Sequence, residues 1–206
     1  MTETILLIVA HNSDHILEAG GTLAKYAQEG QRIITVVCSY GETSQPHLRK
    51  EVVVKRRERE SKKADALIGG AGVIYLDHDK YHVFRTIRML SKIIRQERPS
   101  RIFTHPRSLQ SSHNVVYKLV MQLAEHGAIK CPIYCFKARG LDLLFTNYLQ
   151  LMVDTTETFP TKIKAVLEYK SRKMTTGLLL WKILIKDRYT GLLHGTKYAE
   201  VFSRIH

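Results

Sequence analysis

Five short apolar runs, alternating with segments of helical spacing, set the tightest bound on what this chain can become. The runs are "ETILLIVAH", "QRIITVVCSYGE", "AGVIYLDHD", "SRIFTHP" and "CPIYCF". The first is continuously apolar before it turns polar, which suits a strand buried on both faces. Between the runs lie "AGGTLAKYAQEG", "HLRKEVVVKRRERESKKADALIGG", "YHVFRTIRMLSKIIRQERP" and "SHNVVYKLVMQLAEHG". Gly30, Gly69-Gly70 and Pro99 close the first three of these, and Ser112 is placed to cap the fourth. The alternation predicts right-handed βαβ units. The expected fold is α/β, a three-layer Rossmann-like arrangement with a mostly parallel sheet covered by helices on both faces. With 206 residues and no repeat, low-complexity tract or clear linker, one domain over residues 1–206 is expected. The segment from Lys137 to Asp154 offers the least to read.

Several classes are excluded on composition. The longest apolar stretches, Ile5–Ala10 and Gly177–Ile185, are too short and interrupted to span a bilayer. The N-terminus has no basic region ahead of its apolar run, so it does not read as a secretory signal. Cys38, Cys131 and Cys135 form no framework and read as small buried hydrophobes in a reducing, cytoplasmic setting. Cys131 and Cys135 flank "PIY", and strand alternation would place them on one face. The net charge of +13 has two readings. One is solvated helix faces laced with i,i+4 pairs; the other is attraction to an anionic partner such as nucleic acid, a phosphorylated sugar or lipid headgroups. No nucleic-acid motif supports a nucleic-acid partner. Trp181, in "LLLWKIL", reads as helix packing. The wider "TTGLLLWKILI" is more apolar than a last helix needs, and a homo-oligomer is expected on that basis.

In open parallel sheets, ligands bind beyond the carboxyl ends of the strands. Here those ends carry His11–His15, Ser39–Glu42, Asp77–Asp79 and His105–His113. His11 and Asp14 stand three residues apart at the end of the first strand, and His113 opens the helix after the fourth. Two imidazoles and a carboxylate from separate loops would make the three-ligand, open-position site of a catalytic Zn²⁺. Ten histidines in 206 residues also cluster by chance, so spacing alone leaves both readings open.

The segment "AHNSDH", followed by a glycine pair and by "SYGE", resembles the signature of the LmbE-like, or PIG-L, family of zinc-dependent N-deacetylases. That signature reads A-H-P-D-D-E, then a glycine pair, then a strand ending near G-E. "RRERESKKADALIGG" is similar to the family's R-x-x-E…A…LG helix, through Arg57, Glu60, Ala64, Ile68 and Gly69. "VDTTETFPTKIKAVLEYKS" and "GTKYAEVF" are similar to later family segments, in the same order. The resemblance implies the fold above, a Zn²⁺ or other divalent cofactor, and a small N-acylated sugar or amide as substrate. It implies His11, Asp14 and His113 as metal ligands.

The same resemblance exposes departures. Ser13 stands where the family has its general-base aspartate, and Gln110 where a histidine stabilises the oxyanion. Ser112 replaces the aspartate between the two histidines of H-x-D-H, Asn12 a proline and His15 a glutamate. His15, His47 and His105 are candidates for a replacement base. Arg57, Glu42, Glu60 and Asp79 are candidates to order or line the site, with Asp77 beside Asp79. Tyr40 and Tyr81 are candidates for contact with a sugar. Three functions follow: a zinc-dependent deacetylase-type hydrolase, a catalytically impaired relative that binds a ligand or partner, and a basic nucleic-acid-associated protein.

Overall fold

Every residue of β1 (Thr4–Val9) is buried, which is what its unbroken apolar run requires of a central strand. The computed structural model describes residues 2–39, 49–76, 83–136 and 149–206, apart from the side chains of 172–176. After β1 come α1 (Asp14–Gln28), β2 (Arg32–Val37), α2 (Lys50–Leu67), β3 (Gly72–Tyr75), α3 (Val83–Glu97), β4 (Arg101–Thr104), α4 (Ser111–Glu125) and β5 (Ile133–Phe136). The chain continues through β6 (Gln150–Asp154), α5 (Phe159–Leu167), a 3-10 turn (Lys170–Arg172), α6 (Lys173–Leu193) and β7 (Ala199–Arg204). The strands form one sheet in the order β3-β2-β1-β4-β5-β7-β6. β1 to β5 are parallel, and β7 runs antiparallel to both β5 and β6.

Alternate residues of β1 serve opposite layers. Ile5, Leu7 and Val9 pack with residues of α1, α2, α5 and α6, while Leu6 and Ile8 pack with residues of α3 and α4. The expected mostly parallel, helix-covered sheet is therefore present. Strand order reverses between β1 and β4, and the carboxyl ends of two such strands are where open α/β sheets bind ligands. Among the described residues no helix is long and apolar enough to cross a membrane.

The structure departs from the sequence reading at several points. β6 and β7 were not expected. β6 is a sheet edge with Gln150, Met152 and Asp154 exposed. β7 carries Glu200, a charge that breaks an apolar strand pattern. Glu200 is buried because it accepts from Gly21 N at 3.1 Å, Thr22 N at 2.8 Å and Lys162 Nζ at 2.6 Å. Ser112 is no helix cap: α4 starts at Ser111, Gln110 holds the cap position, and no side chain closes it. Cys131 precedes β5, so strand alternation does not apply to it, and it is only half-buried, whereas Cys38 and Cys135 are buried as expected. Trp181 does not pack inward; it is 64% exposed. Gly30 does end α1 in the left-handed region, with φ 83°.

Candidate metal centre

β1 delivers His11 and Asp14 through a tight turn. Asp14 N donates to His11 O at 3.2 Å, and in return His11 N donates to Asp14 Oδ2 at 2.8 Å. This reciprocal pair explains why the H-x-x-D spacing works: three residues let the carboxylate reach back and fix the main chain that presents the imidazole. Asp14 is also the first residue of α1, where the unpaired amides favour a negative charge.

Imidazoles surround Asp14 Oδ2. His11 Nδ1 lies at 3.2 Å, His105 Nε2 at 3.2 Å and His113 Nε2 at 3.6 Å. Burial pushes the Asp14 carboxyl up, but these three rings outweigh it and hold the group well below the usual carboxylate range. The ligand atoms of His11, Asp14 and His113 all lie within 4.8 Å of one another. Small side-chain rotations bring such a trio to the roughly 3.4 Å between two ligands of one tetrahedral ion. His113 Nε2 is buried, has no hydrogen-bond partner among the described residues, and lies 3.6 Å from Asp14 Oδ2. The donor set and this orphaned nitrogen fit a divalent cation.

His105 lies beside the trio and organises it. It is buried at the end of β4, and its ring stacks on that of His113 at 3.8 Å with 14° between planes. Ala10 N donates to its Nε2 at 3.0 Å. That nitrogen accepts from Ala10 or, when protonated, donates to Asp14, and it cannot do both. His105 is therefore committed to the β1 end and to its neighbours, which does not suit it to work as a free base.

The remaining candidates divide. Ser13 is fully buried, with its Oγ unpartnered among the described residues. His15 is equally buried, both ring nitrogens lack partners there, and burial pushes the ring down to about 4 against the attraction of Asp14. It is neutral at pH 7 and too weak a base to hold a proton there. Gln110 is exposed at the head of α4 and Ser112 is half-buried in its first turn. Glu60 accepts from Ser171 N at 2.7 Å and Ser171 Oγ at 2.6 Å, tying α2 to the turn before α6. Arg57 is buried on α2. Tyr40, Glu42, His47, Asp77, Asp79 and Tyr81 lie outside the described residues.

Sequence reasoning missed the clamp on the ligand turn. Tyr169 Oη and Ser61 Oγ both donate to the Asn12 carbonyl, at 2.8 and 3.1 Å, and Tyr75 Oη donates to Ser61 Oγ at 2.7 Å. A backbone carbonyl carries no residue-type signal, so neither partner stands out in the sequence. The glycine pair also has a structural cause. A Cβ on Gly21 would come within 2.8 Å of Thr155 Cβ, and one on Gly20 within 3.0 Å of Lys162 Cγ.

The sequence profile of the PIG-L family, described as GlcNAc-PI de-N-acetylase, matches residues 6–124, more than half of the chain. The chain is 31% identical over 136 residues to a 4-oxalmesaconate hydratase of Pseudomonas putida. That match takes in 62% of this chain and only 52% of the hydratase, so it spans about half of that relative's length. Among solved structures, a 4-carboxy-2-hydroxymuconate hydratase from Pseudomonas putida superposes with a TM-score of 0.83 at 18% identity, covering 100% of this chain and 97% of the other. The N,N'-diacetylchitobiose deacetylase of Pyrococcus horikoshii gives 0.80 at 19%, covering 98% and 84%. These likenesses establish the shared fold. The profile match across β1, the ligand turn and α4 shows that the chain belongs to the PIG-L family.

Proposed function

We propose that this chain is a zinc-dependent hydrolase of the deacetylase type, removing an acyl group from an N-acylated amino sugar or a related amide. The meeting of His11, Asp14 and His113 where β1 and β4 end carries the proposal. Three protein ligands are the count of a catalytic ion, whereas structural zinc takes four. When bound, the ion would supply Lewis acidity, bringing the pKa of water to about 7 and polarising a carbonyl. The chain's own groups set the rest. Asp14 stays ionised, His105 steadies the His113 ring, and the exposed amide of Gln110 is free to turn an N–H towards an oxyanion. Ser13 neither takes nor returns a proton at pH 7, and loss of a general base typically costs ~10²–10⁴ in rate. The expected turnover is therefore slow.

A second reading is favoured by one observation: a relative 31% identical over 62% of the chain is a hydratase. Under it, the same three ligands serve addition of water to a small unsaturated oxo-acid, and the +13 charge attracts that anionic substrate.

The test loads the protein with zinc and follows acetate release from N-acetylglucosamine-type amides alongside loss of the ultraviolet chromophore of 4-oxalmesaconate. Acetate release that rises at least tenfold in Ser13→Asp supports the hydrolase. Chromophore loss without acetate release supports the hydratase. A zinc-loaded protein that turns over neither, even as Ser13→Asp, contradicts both and leaves a ligand-binding relative.

A further inference from the structure

Six of the fifteen exposed large apolar side chains among the described residues lie on α6. Leu178, Trp181, Ile185, Tyr189 and Leu192 follow one another at steps of three and four, and each is 59–64% exposed. At 100° per residue they form a single stripe, about 21 Å long from Leu178 to Leu192. The opposite side of the helix is accounted for: Ile183 is buried in the core, and Asp187 binds Lys162 Nζ at 2.6 Å. The stripe is therefore not a misplaced core face. It is surplus apolar surface on an element already packed against the sheet.

Its flanks are basic. Lys182 and Lys186 border the stripe on one side and Arg188 on the other. Lys186 also reaches Glu18 at 2.9 Å, and Arg188 donates to Lys197 O at 2.9 Å. The sole acid in the helix sequence is Asp187, and it is turned inward with 0% exposure. This charge pattern decides between occupants. Lys186 is neutralised by Glu18, so a second copy docked stripe to stripe would bring the Lys182 and Arg188 charges of both copies together with no helix carboxylate between them. An anionic lipid surface supplies the missing charge, and the apolar stripe enters the headgroup boundary while the lysine and arginine stems reach sideways to the phosphates. A net charge of +13 adds long-range attraction in the same direction.

We propose that α6 lies in the plane of an anionic membrane surface, with Trp181 and Ile185 inserted and Lys182 and Arg188 at headgroup level. This does not depend on the metal site or on the reaction. The 3-10 turn that leads into α6 is held to α2 through Ser171 and Glu60, so docking would set the catalytic face at a fixed angle to the lipid.

Trp181 is the only tryptophan in the chain, so its emission reports on the stripe alone. The 206-residue chain is mixed with vesicles of phosphatidylcholine, with or without phosphatidylserine, and followed by co-sedimentation and tryptophan fluorescence. The expected result is a blue shift with co-sedimentation on the anionic vesicles only, reversed by salt. Lys182→Gln weakens partitioning about fivefold, and Ile185→Asp, at an exposed position, abolishes the shift while circular dichroism stays native. Four results would overturn the proposal. One is no binding to anionic vesicles, and another is binding without a shift, which would assign the contact to another surface. A third is binding that is equal on neutral vesicles. The last is a lipid-free blue shift that grows with protein concentration alongside molecular mass, which would assign the stripe to a second copy of the chain.

Discussion

The phenolic hydroxyl of Tyr169 donates a 2.8 Å hydrogen bond to the backbone carbonyl of Asn12, joining the end of α5 to the turn that holds two of the three proposed metal ligands. Ser61 donates to the same oxygen from α2. The turn between β1 and α1 is thus fixed from two helices. A buried carbonyl left with one donor loses about 1 kcal/mol, and one left with none loses more. Tyr169→Phe should lower stability by ~1 kcal/mol in urea denaturation and weaken zinc affinity several-fold. Tyr169→Phe with Ser61→Ala should cost more than the sum of the two single changes. Unchanged zinc affinity in the double variant would show that the clamp supports the fold and does not position the ligands.

Lys162 is completely buried between Asp187 and Glu200, with 2.6 Å contacts to each. Burial alone would lower its pKa, but the two carboxylates outweigh that and raise it above the ordinary lysine value. Removing the cation leaves two carboxylates confined in the interior. Lys162→Met should destabilise the protein by roughly 3–5 kcal/mol, measured as a fall in the denaturation midpoint. A loss under ~1 kcal/mol would mean that water reaches the triad.

Gly21 faces the same network. Its absent Cβ leaves room for Thr155 and brings the backbone N–H within reach of Glu200. Gly21→Ala should cost ~1–3 kcal/mol through overpacking, with zinc binding retained, because the crowding arises beside α5 and β7 and not at the ligand turn. Thermal unfolding with and without zinc separates the two effects.

Asp65 sets a pH dependence of its own. Burial pushes its carboxyl up to about 7, opposed in part by the Gly72 amide, and Oδ1 has no partner among the described residues. The unfolded chain titrates this group near 4. Between those values the folded state binds the extra proton, so the contribution of Asp65 to stability is greatest below about 4 and is lost as pH rises through about 7. Asp65→Asn should stabilise the protein at pH 8 by on the order of 2–4 kcal/mol relative to its effect at pH 4. A difference between the variant and the parent that does not change with pH would contradict this.

The five parallel strands were legible because each is a compact apolar run with turn residues on either side. β6 and β7 were not, since the first is a half-exposed edge and the second hides a glutamate whose partners come from α1 and α5. His11 and Asp14 stand out in the sequence at the end of an apolar run and in a segment that resembles the family signature, and the structure brings their ligand atoms together with that of His113 within 4.8 Å. His113 stands out because it falls near the start of the helix after the fourth strand, and the pairing of that strand with β1 brings it to the same end of the sheet. Glu60 is legible as a residue that could order the surroundings of the site, but its partner, Ser171, is not, because a residue type at a given spacing does not say what it will meet. Tyr169 and Ser61 act on a main-chain atom, and His105 acts by stacking on a neighbour. Such roles depend on three-dimensional proximity alone.

The account rests on one divalent ion held by three side chains. Zinc content, measured by elemental analysis after equilibration with zinc and removal of excess, tests this most directly in the parent protein and in His113→Ala. The account predicts close to one ion per chain in the parent and near none in a variant that keeps native circular dichroism. A folded parent that retains no zinc, or a folded His113→Ala protein that retains as much as the parent, would contradict it.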